Sequence, residues 1–303
     1  MRRIVVAVGV IGLCLLGTGT AHAVFPGQNG LIAYGGGARI HTILPSGHDN
    51  QAITPLTAAD PAWSPNGRRM AFTFDPDGFG VAYDIYTMRA DGSDRQRVTF
   101  DGDDPVYGYA QDPSYSPGGG RIVFGAIHDR SSNAIVTVRN DGSDRTTVAA
   151  GAHVNTPVWS PSGEIAYLLR RSSDERTSIW AMRPDGSDQH HLLDLGKGGG
   201  SGPIYAPDGR EFLFARVWGD GSRHTLLANA DGTGVRKSPC AATLDRMRSL
   251  YSYSPDGKWI LAGNFDQETG ATTLVRVSLA SCAVQRVVGH AGGGADWQAS
   301  PAP

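Results

Sequence analysis

Pro61–Phe74 reads PAWSPNGRRMAFTF, and its core recurs as PSYSPGGGRIVFGA from Pro113, PVWSPSGEIAYLL from Pro157, PIYAPDGREFLFA from Pro203 and YSYSPDGKWILAG from Tyr251. The aromatic marks the phase: Trp63, Tyr115, Trp159, Tyr205, Tyr253 and Trp297 follow one another at 52, 44, 46, 48 and 44 residues. A period in the middle forties, with one aromatic and one turn signal per unit, points to the four-stranded blades of a β-propeller. In each copy an inner strand runs to the aromatic, and Ser-Pro-Asx/Ser-Gly then reverses the chain, because proline fixes φ and glycine accepts the positive φ of a tight turn. A β-rich run such as Arg69–Phe74 is the second strand. A third, such as Asp84–Met88 or Ser178–Met182, ends in Asp91-Gly92-Ser93 or Asp185-Gly186-Ser187, the Asp-Gly signature of a hairpin.

The [WY]-S-P-[DNS]-G turn, the following apolar strand, the DIYTM-type strand and the DGS hairpin together resemble the TolB-type β-propeller repeat, a WD-like family. The resemblance covers nearly all of the chain after its first two dozen residues. It implies an all-β propeller whose relatives serve as periplasmic scaffolds, peptidase-associated propellers and lyases. The family's periplasmic scaffold meets a peptidoglycan-associated lipoprotein on its propeller. No contact motif for that partner matches here residue by residue, so the partnership is not carried over.

Five full copies span about 58–100, 110–150, 154–195, 201–240 and 248–289. Leu31–Thr54 supplies three strands without an inner one, and Gly294–Gln298 resembles an inner strand with nothing after it. The two pieces complete one blade, so six are expected, the sixth built from 31–54 plus 292–299. Sharing strands this way removes exposed sheet edges. A single propeller domain over 24–303 follows, because the 41 glycines and 18 prolines fall mostly at repeat turns.

Residues 1–23 carry Arg2, Arg3, an apolar run from Ile4 to about Leu16 and Ala21-His22-Ala23, the pattern of a secretory signal peptide cleaved before Val24. The apolar run is shorter than the roughly 20 residues a membrane span needs. The expected location is the periplasm or the exterior. Without Arg2 and Arg3 the charges stand at 25 basic against 29 acidic, which argues against a nucleic-acid partner.

Cys240 and Cys282 are the two cysteines outside that leader, and an exported chain gives them reason to pair. Cys240 ends the fourth blade's outer strand, whereas Cys282 occupies a third-to-fourth strand turn of the fifth, nominally on the opposite face. Paired and free states both stay open. Asp101-Gly102-Asp103-Asp104 lacks the glycine and glutamate of a calcium loop, the adjacent His190 and His191 point to opposite faces of a strand, and no HExxH, paired CxxC or G-x-S-x-G occurs. Neither a metal nor a cofactor is expected.

Asp60 and Asp112 stand before prolines at the entrances of inner strands. Each either presents a carboxylate to the central funnel or accepts hydrogen bonds from its own turn. Tyr107, Tyr109, His153 and Asn155 lie in linkers or strand entrances around the same funnel. Asp245, Arg246, Arg248 and His290 come from the later linkers, and Arg171 from a second-to-third strand loop. Both loop sets emerge on one face of a propeller, where variable polar loops on a rigid scaffold bind.

Two functions follow. The first is an exported, non-enzymatic scaffold, monomeric, that binds a protein or an envelope or extracellular ligand through its loop face. The second is a propeller enzyme of polysaccharide lyase or lactonase type with a metal held in the funnel. Convergence of three ligating side chains favours the second; a funnel lined by the glycines of 196–202 and 292–294 favours the first.

Overall fold

The computed structural model describes residues 25–300 apart from 56, 79–82, 102–107, 130–131, 152, 172–174, 267 and 269. The segment read as a signal peptide and Tyr107 lie outside these residues. Six four-stranded antiparallel sheets form the ring of a β-propeller. Blade 6 opens the chain with β1 (Gln28–Gly36), β2 (Arg39–Ile43) and β3 (Gln51–Ala52). Blade 1 holds β4 (Ala58–Trp63), β5 (Arg69–Phe74), β6 (Asp84–Arg89) and β7 (Gln96–Arg97). Blade 2 holds β8 (Tyr109–Tyr115), β9 (Arg121–Asp129), β10 (Ser132–Arg139) and β11 (Thr146–Gly151). Blade 3 holds β12 (Val154–Trp159), β13 (Ile165–Arg170), β14 (Thr177–Met182) and β15 (His190–Gly196). Blade 4 holds β16 (Gly200–Tyr205), β17 (Glu211–Val217), β18 (Arg223–Asn229) and β19 (Arg236–Lys237). After the short helix α1 (Ala241–Leu244), blade 5 holds β20 (Ser249–Tyr253), β21 (Trp259–Phe265), β22 (Thr272–Ser278) and β23 (Val284–Val288).

The last strand, β24 (Ala295–Ser300), pairs with β1 as Ile32↔Trp297, Ala33↔Asp296 and Tyr34↔Ala295. The sixth blade therefore closes as expected, starting three residues earlier than Leu31. The repeat turns are built alike. Gly67 donates to the Ser64 carbonyl at 2.8 Å and takes φ 64°, with Ser64 Oγ accepting from Arg69 N–H. In the DGS turn Gly92 alone takes positive φ; Asp91 keeps negative φ, and its carboxylate accepts from Ser93 N–H at 2.9 Å and Ser93 Oγ at 2.6 Å.

Each aromatic phase mark fills the seam between its own blade and the one before. Trp63 packs with Ala33 and Ile40 of blade 6, Trp297 with Leu261 and Leu274 of blade 5, and Tyr253 with Leu213 and Leu227 of blade 4. The inner strands are stitched by the residue just ahead of the aromatic. Ser114 Oγ accepts from Trp159 N–H at 3.1 Å, and the buried Asp296 carboxylate accepts from Trp63 N–H at 2.7 Å and Trp297 N–H at 2.8 Å. Burial outweighs those two donors and pushes Asp296 up to about 7.

The cysteines correct the strand-based expectation of opposite faces. Because β19 is two residues long, the chain leaves blade 4 near the turn it has just made, and Cys240 precedes α1 instead of ending a strand. There it meets Cys282, with Cα atoms 5.2 Å apart and a disulfide joining them. At four residues, α1 is too short to display a helical period. No helix among the described residues is long and apolar enough to cross a membrane.

Candidate functional site

The first strands of successive blades lie against one another, β24 on β4, β4 on β8, β8 on β12 and β20 on β24, and form the inner ring. Four of them share an irregularity three residues before the aromatic. The pairing register slips between Ala59 and Ala62, Gln111 and Ser114, Asn155 and Val158, and Ser201 and Ile204. At each slip the residue ahead of proline takes positive φ: 50° at Asp60, 54° at Asp112, 47° at Thr156 and 112° at Gly202. Proline removes the N–H that the interrupted ladder would leave unpaired, and it bars its predecessor from the right-handed helical region. Aspartate tolerates the left-handed region better than most residues, which explains why it stands at two of these sites.

The bulges bring two carboxyl groups within electrostatic reach of each other. Burial pushes Asp60 up to about 6 despite a long hydrogen bond from Thr73 Oγ1 at 3.4 Å. Burial raises Asp112, 8% exposed, well above the carboxylate range, and the neighbouring Asp60 raises it further. Gln111 Nε2 donates to Asp112 at 3.3 Å. Three tyrosines feel the same field. Tyr109 is raised by burial and then by Asp112, and Tyr83 by burial, Asp75 and Asp60. Tyr251, two blades away in the ring, is raised by burial and by Asp60, with Ser249 and the positive Arg248 acting against them.

Glycine backbone completes this neck on one side. Asp60 N–H donates to Gly293 O at 2.9 Å and Gly35 N–H to Gly294 O at 3.0 Å. A Cβ on Gly35 would stand 2.1 Å from Gly292 O, so no other residue fits there. Among the described residues, no three His, Cys, Asp or Glu side chains come near enough to share a metal ion.

The neck thus gathers Asp60, Asp112 and Tyr109 from the residues singled out in the sequence, while the Arg248 guanidinium covers the Phe265 ring at 4.2 Å. The others are placed elsewhere. Asn155 Oδ1 accepts from Asn133 Nδ2 at 2.8 Å across the seam of blades 2 and 3, and the carbonyl of the half-buried His153 accepts from Arg170 N–H at 3.0 Å. Arg171, Arg246 and His290 are exposed on loops. Asp245 accepts from Thr225 N–H, the position at which Thr54 and Thr99 cap the third strands of blades 6 and 1 through Ile40 and Ile85 N–H. It is a strand cap rather than a funnel ligand. Tyr83 and Tyr251 were missed. Tyr251 had a signal, since it occupies the slot that Pro61, Pro113, Pro157 and Pro203 fill in the other repeats.

Comparison with known proteins agrees with this architecture. Residues 31–198 match the TolB beta propeller domain model. The chain belongs to the TolB β-propeller family. It is 30% identical over 166 residues to an uncharacterized protein of Agrobacterium fabrum, covering 52% of this chain and 54% of that one, so this chain spans about half the relative's length. The crystal structure of TolB from Acinetobacter baumannii superposes with a TM-score of 0.69 at 15% identity, covering 89% of this chain and 66% of that one. Oligogalacturonate lyase from Vibrio parahaemolyticus superposes with a TM-score of 0.61 at 12% identity, covering 90% of this chain and 78% of that one. At such identities these two likenesses concern the fold alone.

Proposed function

We propose that this TolB-family propeller is an exported scaffold that binds a protein or another envelope or extracellular ligand through its loop-bearing face and turns nothing over. The observation that carries this reading is the chemistry of the neck. Its two carboxyl groups are buried within electrostatic reach of each other with raised proton affinity, no third ligating side chain joins them among the described residues, and glycine backbone occupies the adjoining wall. Two carboxyl groups that hold their protons to higher pH, with no third ligand beside them among the described residues, suit a divalent ion poorly. The loops above it present Arg171, Arg246 and His290 to solvent, on blades rigid enough that little ordering entropy opposes association.

The lyase or lactonase reading draws support from the fold likeness to oligogalacturonate lyase and from nothing in the neck. A direct test incubates the purified protein with polygalacturonate and with lactone substrates, with manganese, calcium or a chelator. No turnover is expected. Metal-dependent cleavage that disappears in Asp60→Asn or Asp112→Asn would overturn the proposal, as would a partner captured from the envelope fraction whose binding survives loss of Arg171, Arg246 and His290 together.

A further inference from the structure

Blade 4 leaves part of one flank uncovered. Arg216 pairs with His224 and Leu226 with Lys237 across β17, β18 and β19, so these four side chains share a face of the sheet. That face looks toward blade 3: Phe214, opposite Leu226, joins the core containing Leu193 and Leu195, whereas Leu213 and Leu227 join the core shared with blade 5. Between the seam and the two-residue β19 lies a groove of about 350 Å³, lined by the apolar Trp218, Leu226 and Val235 and by the polar Arg216, His224, Arg236 and Lys237.

Two features make it more than a dent. Trp218 is 51% exposed and Val235 47%, and large apolar side chains left in water together mark contact surfaces. Trp218 is also held in place, with the Arg216 guanidinium 5.8 Å from its ring centroid and the His224 ring edge-on at 6.2 Å. Two cations of the groove lack a carboxylate partner among the described residues. Arg216 donates to the Asp194 carbonyl and pairs with no carboxylate among the described residues, and Lys237 has none either. The nearby carboxylates are already engaged: Glu211 by Arg236, Asp194 by Ser178 and His191, and Asp245 by Thr225 N–H and by the groove's own His224, 3.9 Å away.

We propose that this groove docks an acidic, extended peptide segment of a partner protein, seating an apolar side chain on Trp218 with carboxylates against Arg216 and Lys237. The charge complementarity names the sign of the occupant, and the apolar surface of Leu226 and Val235, which cannot hydrogen-bond a sugar's hydroxyls, favours a peptide side chain. The outer edge of β19 also has no strand beyond it in its sheet, so its main chain is open to an added strand. This surface runs along the flank of the ring from the second-to-third strand turn of blade 4, where Trp218 sits at the rim of the loop face.

The test uses a fluorescein-labelled random copolymer of glutamate and tyrosine, with polyglutamate and polygalacturonate as controls, read by fluorescence anisotropy against the purified protein. The copolymer is expected to bind saturably, more tightly than polyglutamate and less tightly as salt rises. Trp218→Ala and Lys237→Glu should each weaken it at least about tenfold, and Arg171→Ala on the loop face should not. Lys237 is exposed, so its variant reports on the groove even if Trp218→Ala melts early. Absence of copolymer binding, equal binding by both groove variants, tighter binding of polygalacturonate than of the copolymer, or a Trp218-dependent dimer in sedimentation equilibrium would each overturn the proposal.

Discussion

Asp60, Asp112 and Asp296 set how this protein responds to pH. Each has a folded-state pKa above the ordinary value of 3.8, about 6 for Asp60 and about 7 for Asp296, with burial the leading cause. In the unfolded chain these groups give up their protons near pH 4, while the folded chain keeps them to higher pH. Between those limits the folded state binds more protons, so stability falls as pH rises. Asp91, Asp141 and Asp185 act the other way, because serine hydrogen bonds hold them below the ordinary value, but they are exposed and their effect is screened. The melting temperature is therefore expected to fall from pH 5 to pH 8, and Asp60→Asn to flatten that slope by removing one raised group and relieving Asp112. A melting series by differential scanning fluorimetry decides it; a flat or rising curve in the wild type would sink the account. Trp63 and Trp159 act through volume instead. Each is buried in a seam, 2% and 3% exposed, so replacement by alanine should cost about 3–5 kcal/mol, measured by chemical denaturation.

At the level of elements, what could be read from the sequence was what depends on a few adjacent residues. The S-P-x-G turn, the DGS turn and the aromatic of each inner strand are local solutions to local steric problems, and they placed all six blades. The carboxyl groups ahead of Pro61 and Pro113 could be singled out at the strand entrances for the same reason, but the register slip beneath each of them was not read. What escaped depends on distance between elements. Asp245 was read as a funnel residue because its linker begins at the wrong end of blade 4 in a strand count that gives β19 full length. Tyr83 reaches the neck only because Asp60 lies close by in the fold. The same short β19 explains the cysteine pair, which clips α1 to the turn between β22 and β23. Closing 42 residues should constrain the unfolded chain by about 4 kcal/mol on the chain-entropy view. Reduction, or Cys240→Ser with Cys282→Ser, is expected to shift the denaturant midpoint down accordingly, and a midpoint that does not move would show that the clip adds nothing.

The whole ring is held shut by one strand from the far end of the chain. β24 contributes Trp297 to the seam with blade 5 and Asp296 to the N–H of Trp63 in blade 1, so it joins three blades at once. Losing Trp297 alone is worth about 3–5 kcal/mol, set against a typical total of about 5–15 kcal/mol for a domain. Truncation after Gly294 also strips β1 of its partner and exposes an edge inside the ring. The truncated chain is expected to lose cooperative unfolding and to aggregate. The control is a circular permutant that starts at Gly163 and ends at Ser162, with a short glycine-serine link from Ser300 to Gln28, which already face each other across β24 and β1. Its new ends fall in an exposed turn where Gly163 has no atom within 4 Å of a built Cβ, and β12 becomes the terminal strand that clasps blade 3. If strand sharing is what holds the ring, the permutant should melt within a few degrees of the wild type while the truncated chain does not fold. Equal, cooperative melting of the truncated chain would show instead that packing between blade faces is enough to close it.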